Sequence, residues 1–202
     1  MLKIWGFAAS SNVQKVMWCA DEMGVPWERV DINGPKLKEP AYRALNPNSL
    51  VPTIEDEGTV LWESNTILRY LATKHCKLAP AAAGARGEIE RWMDWQLSAL
   101  VHPMAPLFRG LARTPPAERD PVALAAHHKN AIPLWTLLDR HLAGRAWVGG
   151  ADFSIGDIPP GVWIHRWYVM PIERPDLANL RAWYERLLAR PPYRKHVAVP
   201  LG

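Results

Sequence analysis

Apolar residues recur along this chain in two rhythms, and the change from one to the other divides it. Leu2, Ile4 and Trp5 read as a short buried strand. Ala8-Ala9-Ser10-Ser11-Asn12 breaks that pattern, after which Val13, Val16, Met17, Ala20 and Met23 recur at helical spacing. Gly24 followed by Pro26 predicts the end of this helix, and Trp27, Val30 and Ile32 carry a second strand. Strand, helix and strand of these lengths predict a right-handed unit with parallel strands. Residues 36–45 hold one short, irregular helix. Leu50 to Ile54 is extended, Asp56-Glu57-Gly58 supplies a turn, and Thr59 to Trp62 is a further β-like run. Glu63-Ser64-Asn65 stand where helix-start residues belong, ahead of Ile67, Leu68, Tyr70 and Leu71. The order is βαβαββα.

Beyond His75 the period-two signal vanishes. The alanine-rich stretch from Lys77 to Gly87 reads as a bridge, so the predicted division is residues 1–77, a linker over 78–86, and an all-helical region over 87–202. Ile89, Trp92, Met93, Leu97, Leu100, Val101 and Met104 share one helix face, with Pro103 and Pro106 expected to bend or end its last turns. A second long helix carries Leu124, His128, Ile132, Trp135, Leu138 and Leu142, and Gly144 stops it. Ser154 and Asp157 have capping-box spacing beside Phe153. A last helix from Asp176 uses Leu177, Leu180, Trp183, Tyr184 and Leu187 and stops at Pro191-Pro192.

Composition narrows the function classes. The chain has 202 residues, enough for one large or two modest domains, and 11 tryptophans suggest aromatic cores or ligand surfaces. The net charge of +4 arises after Pro80, among arginines scattered at helical spacing rather than clustered, which argues against nucleic-acid binding. Two distant cysteines, Cys19 and Cys76, imply no disulfide framework and a reducing, cytoplasmic setting. Met1 runs straight into a strand pattern without a signal peptide, and no apolar run is long enough to span a membrane. The histidines form no metal set.

The stretch from Asn46 to Asn65 gathers the candidate chemistry. Pro52 between β-like residues implies a strand edge or a sharp strand entry, which a cis Val51-Pro52 bond would suit. Leu50-Val51-Pro52 followed by Glu63-Ser64 resembles the glutathione-binding signature of soluble glutathione S-transferases, and the resemblance, closest to a bacterial, serine-type (theta-like) branch, extends over essentially the whole chain. It implies a thioredoxin-like N-terminal domain joined to a helical bundle, with glutathione as co-substrate and a homodimeric assembly. It also implies a cis proline, with the backbone of Val51 pairing with the cysteinyl part of glutathione and Glu63, Ser64 and Asn65 at the γ-glutamyl end. Lys38 is a candidate for the glycyl carboxylate.

Ser10, Ser11 and Asn12 occupy the turn before the first helix, whose free N–H groups favour an anion. A thiolate there would gain a hydrogen bond contributing about 1.5–3 kcal/mol, roughly one to two pKa units. Ser11 and Gln14 have capping-box spacing. Aligned on the family's pattern ahead of Lys15-Val16, Ser10 falls at the thiolate-contacting place, and Asn12, where many serine-type relatives carry proline, is a possible helper. The tyrosine-using branches are not matched, since no tyrosine precedes Tyr42, and neither are the cysteine-using ones. Cys19 inside the first helix reads as a small buried hydrophobe. For a small apolar electrophile, Trp95, Met104, Phe108 and Arg109 are the second-substrate candidates, with Arg109 able to meet an anionic group, although Met104 shares the core stripe. Asp94 could reach a neighbouring subunit's ligand. A glutathione-dependent isomerase, dehalogenase or peroxidase, or a non-catalytic binding or assembly module, remains compatible with the same residues.

Overall fold

The computed structural model describes residues 1–200. Four strands form one sheet in the order β2-β1-β3-β4. β1 (Leu2–Trp5) runs parallel to β2 (Trp27–Val30), and β3 (Thr53–Asp56) lies antiparallel to both β1 and β4 (Thr59–Trp62). The parallel pair is joined by α1 (Ser11–Met23), which ends on Gly24 with φ 69°, where its amide meets the carbonyls of Ala20 and Asp21. A 3₁₀ turn and α2 (Pro40–Leu45) lead to β3, and α3 (Ser64–His75) closes the predicted βαβαββα order.

α1 departs from the one-faced stripe expected of it. Every residue from Val13 to Ala20 is buried, including Gln14, Lys15 and Trp18. The cause is position: α1 packs against α3 on one side and against two helices from the far half of the chain on the other. A helix enclosed on all sides hides polar residues that periodicity places in solvent.

The second half is helical. α4 (Ala83–Trp95) begins inside the stretch expected to be linker, so Gly84 and Gly87 lie within a helix and the connection is shorter than predicted. That connection is tied down at both ends. Lys77 Nζ donates to the carbonyl of Met23 at 2.6 Å, and the amide of Ile155 donates to that of Leu78 at 2.9 Å. α4 passes through a π-helical turn at Gln96–Leu100 into α5 (Val101–Ala112). Pro103 and Pro106 therefore neither end nor break this helix, because the wide turn upstream accommodates the missing amide and the ring of Pro103. The same turn brings Gln96 inward and leaves Leu97 half exposed, against the predicted stripe.

α6 (Pro121–Leu142) starts on Asp120, whose carboxylate accepts from the amides of Val122 and Ala123. α7 (Ile158–Val169) is buried along nearly its whole length, and α8 (Ala178–Leu188) packs on α6. Pro191-Pro192 ends α8 as expected but also opens a short α9 (Pro191–His196), since proline is tolerated in a helix's first turn.

The predicted capping box before α7 is present and larger than its spacing suggests. Asp157 Oδ2 accepts from the amide and the hydroxyl of Ser154, while Oδ1 accepts from the amide of Val148 and from Trp183 Nε1 at 3.0 Å. One carboxylate thus holds a loop, α7 and α8 together. Its burial outweighs these donors and pushes it up to about 6. Asp157→Ala leaves four buried donors without an acceptor, and a loss of about 3–5 kcal/mol is expected in urea denaturation. Because the folded value exceeds the unfolded one, ionisation of Asp157 subtracts stability as pH rises from about 4 through 6. The variant should lack that component of the pH slope.

Candidate active site

Three chain segments converge where β1 ends. Gly6 lies there with φ +150°, and a Cβ on it would stand 2.4 Å from Val13 Cγ2 and 3.3 Å from Val51 Cβ. Only a residue without a side chain lets the strand end run beneath α1 and against the loop carrying Val51. Ser10 is the N-cap of α1 by backbone geometry, φ −71° and ψ 122°, yet its hydroxyl makes no capping bond and stays available. Ser11 is the first residue inside the helix. The expected Ser11–Gln14 capping box is not formed, because Gln14 is buried and its Oε1 accepts from Arg166 Nη2 at 2.8 Å.

The Val51-Pro52 bond is cis. Leu50 projects its side chain into solvent, but its carbonyl is fully engaged, accepting from Tyr42 Oη at 2.7 Å and Asn46 Nδ2 at 2.9 Å. Tyr42 and Asn46 also reach Thr53 Oγ1, so one buried polar cluster fixes the loop on both sides of Pro52. Neither the amide nor the carbonyl of Val51 is paired among the described residues, which leaves them free for an extended ligand. Lys38 sits on the exposed 3₁₀ turn with no partner among those residues.

Glu63 precedes α3 with φ 69° and ψ 112°, an unfavourable backbone state for a residue with a Cβ, and caps nothing with its side chain. The first amides of α3 are therefore left open toward an anion. Ser64 Oγ donates to Asn12 Oδ1 at 3.3 Å, bringing the starts of α1 and α3 side by side. Lys15 Nζ donates to Ser64 Oγ at 3.4 Å and to Gln96 Oε1 at 2.8 Å. Asn65 Nδ2 donates to the carbonyl of Met93 at 2.8 Å and so fastens α3 to α4.

Beside Ser10 and Ser11 lies a cavity of about 170 Å³, walled by Phe7, Phe108, Arg109 and Trp163 among others. Two of the four second-substrate candidates, Phe108 and Arg109, are on its wall. Met104 is completely buried in the bundle, as its place in the core stripe foreshadows, and Trp95 packs edge-on against Trp92 at 5.2 Å. Neither lines the cavity. Asp94 pairs with Arg69 of its own chain at 2.5 Å. Burial pushes the Cys19 thiol far up, so it supplies no nucleophile. Sequence reasoning missed Trp163 and Arg166 on α7; an arginine between two tryptophans in a buried helix was the signal for them.

Burial lowers Lys15 to about 7 from an ordinary lysine's value, against a smaller opposing effect of Glu63. The unfolded chain then binds the extra proton between about 7 and 10, and folding stability rises with pH across that window. Lys15→Met should flatten this rise by a few kcal/mol in denaturation at stepped pH. An unchanged slope would show that Lys15 carries its proton as freely as in water.

Comparison with known proteins agrees with this geometry. Residues 9–74 match the family model described as Glutathione S-transferase, N-terminal domain. Glutathione S-transferase GstB of Escherichia coli strain K12 is 36% identical over 209 residues, covering 100% of both chains. Glutathione S-transferase 3 of Zea mays is 34% identical, covering 99% of this chain and 95% of its own. The theta class enzyme of Xanthomonas axonopodis pv. citri, solved with glutathione bound, superposes with a TM-score of 0.95 at 45% identity, covering 100% of this chain and 99% of that one. With its paired helix starts and cis-proline loop in place, the chain belongs to the glutathione S-transferase family.

Proposed function

We propose that this protein is a glutathione transferase in which Ser10 holds the glutathione sulfur as a thiolate. The observation that carries the reading is the convergence at Gly6, which sets the unpaired backbone of Val51 against the first turn of α1, itself joined to α3 through Asn12 and Ser64. In this reading the cysteinyl backbone of glutathione pairs with Val51. Its γ-glutamyl carboxylate meets the open amides after Glu63 and the hydroxyl of Ser64. Its sulfur then lies at the start of α1, where the Ser10 hydroxyl donates to it and the helix end favours negative charge.

Together these interactions lower the thiol's pKa by roughly one to two units. The thiolate attacks an electrophile seated between Ser10 and Phe108, so the protein contributes positioning and charge stabilisation and no nucleophile of its own. Asn12 acts indirectly, by orienting Ser64. Free Cys19 and Cys76 fit a reducing, cytoplasmic setting.

A homodimer is part of the same proposal. Val60 and Trp62 on β4 and Leu97 after α4 are exposed large apolar residues. Trp62 lies just before α3, and Asn65 of α3 binds the carbonyl of Met93, one turn before Leu97. The exposed apolar residues thus neighbour one junction, which a second copy would cover.

Ser10→Ala should leave glutathione affinity in calorimetry largely intact and lower the rate of thiol attack about tenfold to a hundredfold. A wild-type rate would move the role to Ser11 or Asn12. Trp62→Glu combined with Leu97→Glu should convert the protein to a monomer in sedimentation; an unaltered mass would place the interface elsewhere.

A further inference from the structure

The cavity beside Ser10 has an unusual balance of polar groups. Arg109, Arg113 and Arg166 all contribute to its wall, and no aspartate or glutamate does. None of the three forms an ion pair among the described residues. Arg166 is 3% exposed, yet its hydrogen bonds go to the carbonyl of Val162 and the neutral amide of Gln14 and to no carboxylate. Its Nε is buried without an acceptor, and so is Nε1 of Trp163, another wall residue that is 4% exposed. Arg113 donates at 3.4 Å to the carbonyl of Ala9 and lies 5.2 Å from the ring of Phe108. Arg166 approaches the same ring at 5.0 Å.

Buried donors without acceptors are costly, and a buried arginine ordinarily has a carboxylate. Here the wall carries three guanidinium groups without a carboxylate partner among the described residues, while Phe7, Phe108 and Trp163 supply aromatic faces. A neutral apolar guest would leave that positive charge unanswered. We propose that the second substrate is a small aromatic electrophile bearing an anionic group, a carboxylate in the first instance, which the arginines hold while the ring rests against Phe108. The proposal rests on the transferase reading and departs from the apolar electrophile that the sequence suggests.

The chemistry balances without a further reactant. The thiol proton passes to solvent on binding. The thiolate then forms a C–S bond at the ring carbon carrying the leaving group, and a halide departs with the bonding pair. Guanidinium groups holding the carboxylate fix the ring for in-place attack, and charge-assisted bonds of this kind discriminate strongly against an analogue that cannot make them.

The test uses para-chloro-meta-nitrobenzoate and its methyl ester, which share a leaving group and differ in charge. Each kcat/KM is divided by the uncatalysed rate of glutathione with the same compound, and glutathione binding is measured alongside by calorimetry. The wild-type protein should favour the acid tenfold or more. Arg109→Gln with Arg113→Gln should bring the acid-to-ester ratio down severalfold, and the acid's advantage should shrink in high salt. A ratio at or below one in the wild type, with the ester turned over, overturns the anionic substrate and leaves the transferase reading standing. A weakened glutathione affinity in the double variant with an unmoved ratio also overturns it, assigning the arginines to glutathione's own carboxylates. Absence of both turnover and glutathione binding in the wild type overturns the two together.

Discussion

The structure depends on the enclosure of α1 from Val13 to Ala20. A helix pressed between a sheet and a helical bundle must satisfy its polar side chains inside the protein, and α1 does so by reaching into the second half of the chain. Gln14 accepts from Arg166 of α7, and Lys15 donates to Gln96 in the π-helical turn. These buried polar pairs have a geometry that apolar packing alone lacks, and they fix how the bundle sits on the sheet. Trp18 adds to the same seam, packing edge-on to Tyr193 with ring centroids 4.8 Å apart. Gly161 of α7 leaves room for the indole, since a Cβ there would lie 2.8 Å from it.

The catalytic reading follows from that enclosure. Ser10 can present a free hydroxyl at the mouth of α1 because the helix behind it is anchored by Gln14 and Lys15 rather than by a serine cap. The opening of α3 is aligned with it through Ser64 and Asn12. Two helix starts lie together beside an unpaired stretch of backbone, and each contributes the same sign of partial charge to the space between them. A peptide carrying a carboxylate at one end and an ionisable thiol near its middle matches that field.

Much of this was legible in the sequence, for reasons that differ by residue. Strands, hairpin and α3 announce themselves through alternation and turn chemistry, and Pro52 marks the loop because its missing amide restricts where it can stand. The place of Ser10 at the start of α1 was readable because a strand-to-helix turn is local. Gln14, Lys15 and Arg166 were not, since their partners lie far along the chain and periodicity cannot tell which polar residues an enclosing helix will meet. Trp95 shows the other failure: proximity in sequence to the cavity wall says nothing of which side a residue faces, whereas the core stripe did point Met104 inward. The Ser11–Gln14 spacing matched a cap that the fold uses for a longer-range contact.

The wide turn at Gln96–Leu100 also bears on how this chain can change length. In a regular helix each residue advances the direction of its side chain by about 100°. Phe108 and Arg109 face the cleft only because the helix carrying them has already absorbed the surplus residue upstream. Removing one position from that turn would let it close to a regular helix with both side chains still on the cleft, whereas a loss from the regular helix after it has no surplus to draw on and would swing the later positions round by about 100°. Spacing, as much as identity, decides which side chains this stretch turns toward the pocket and which, like Met104 and Leu107, toward the core.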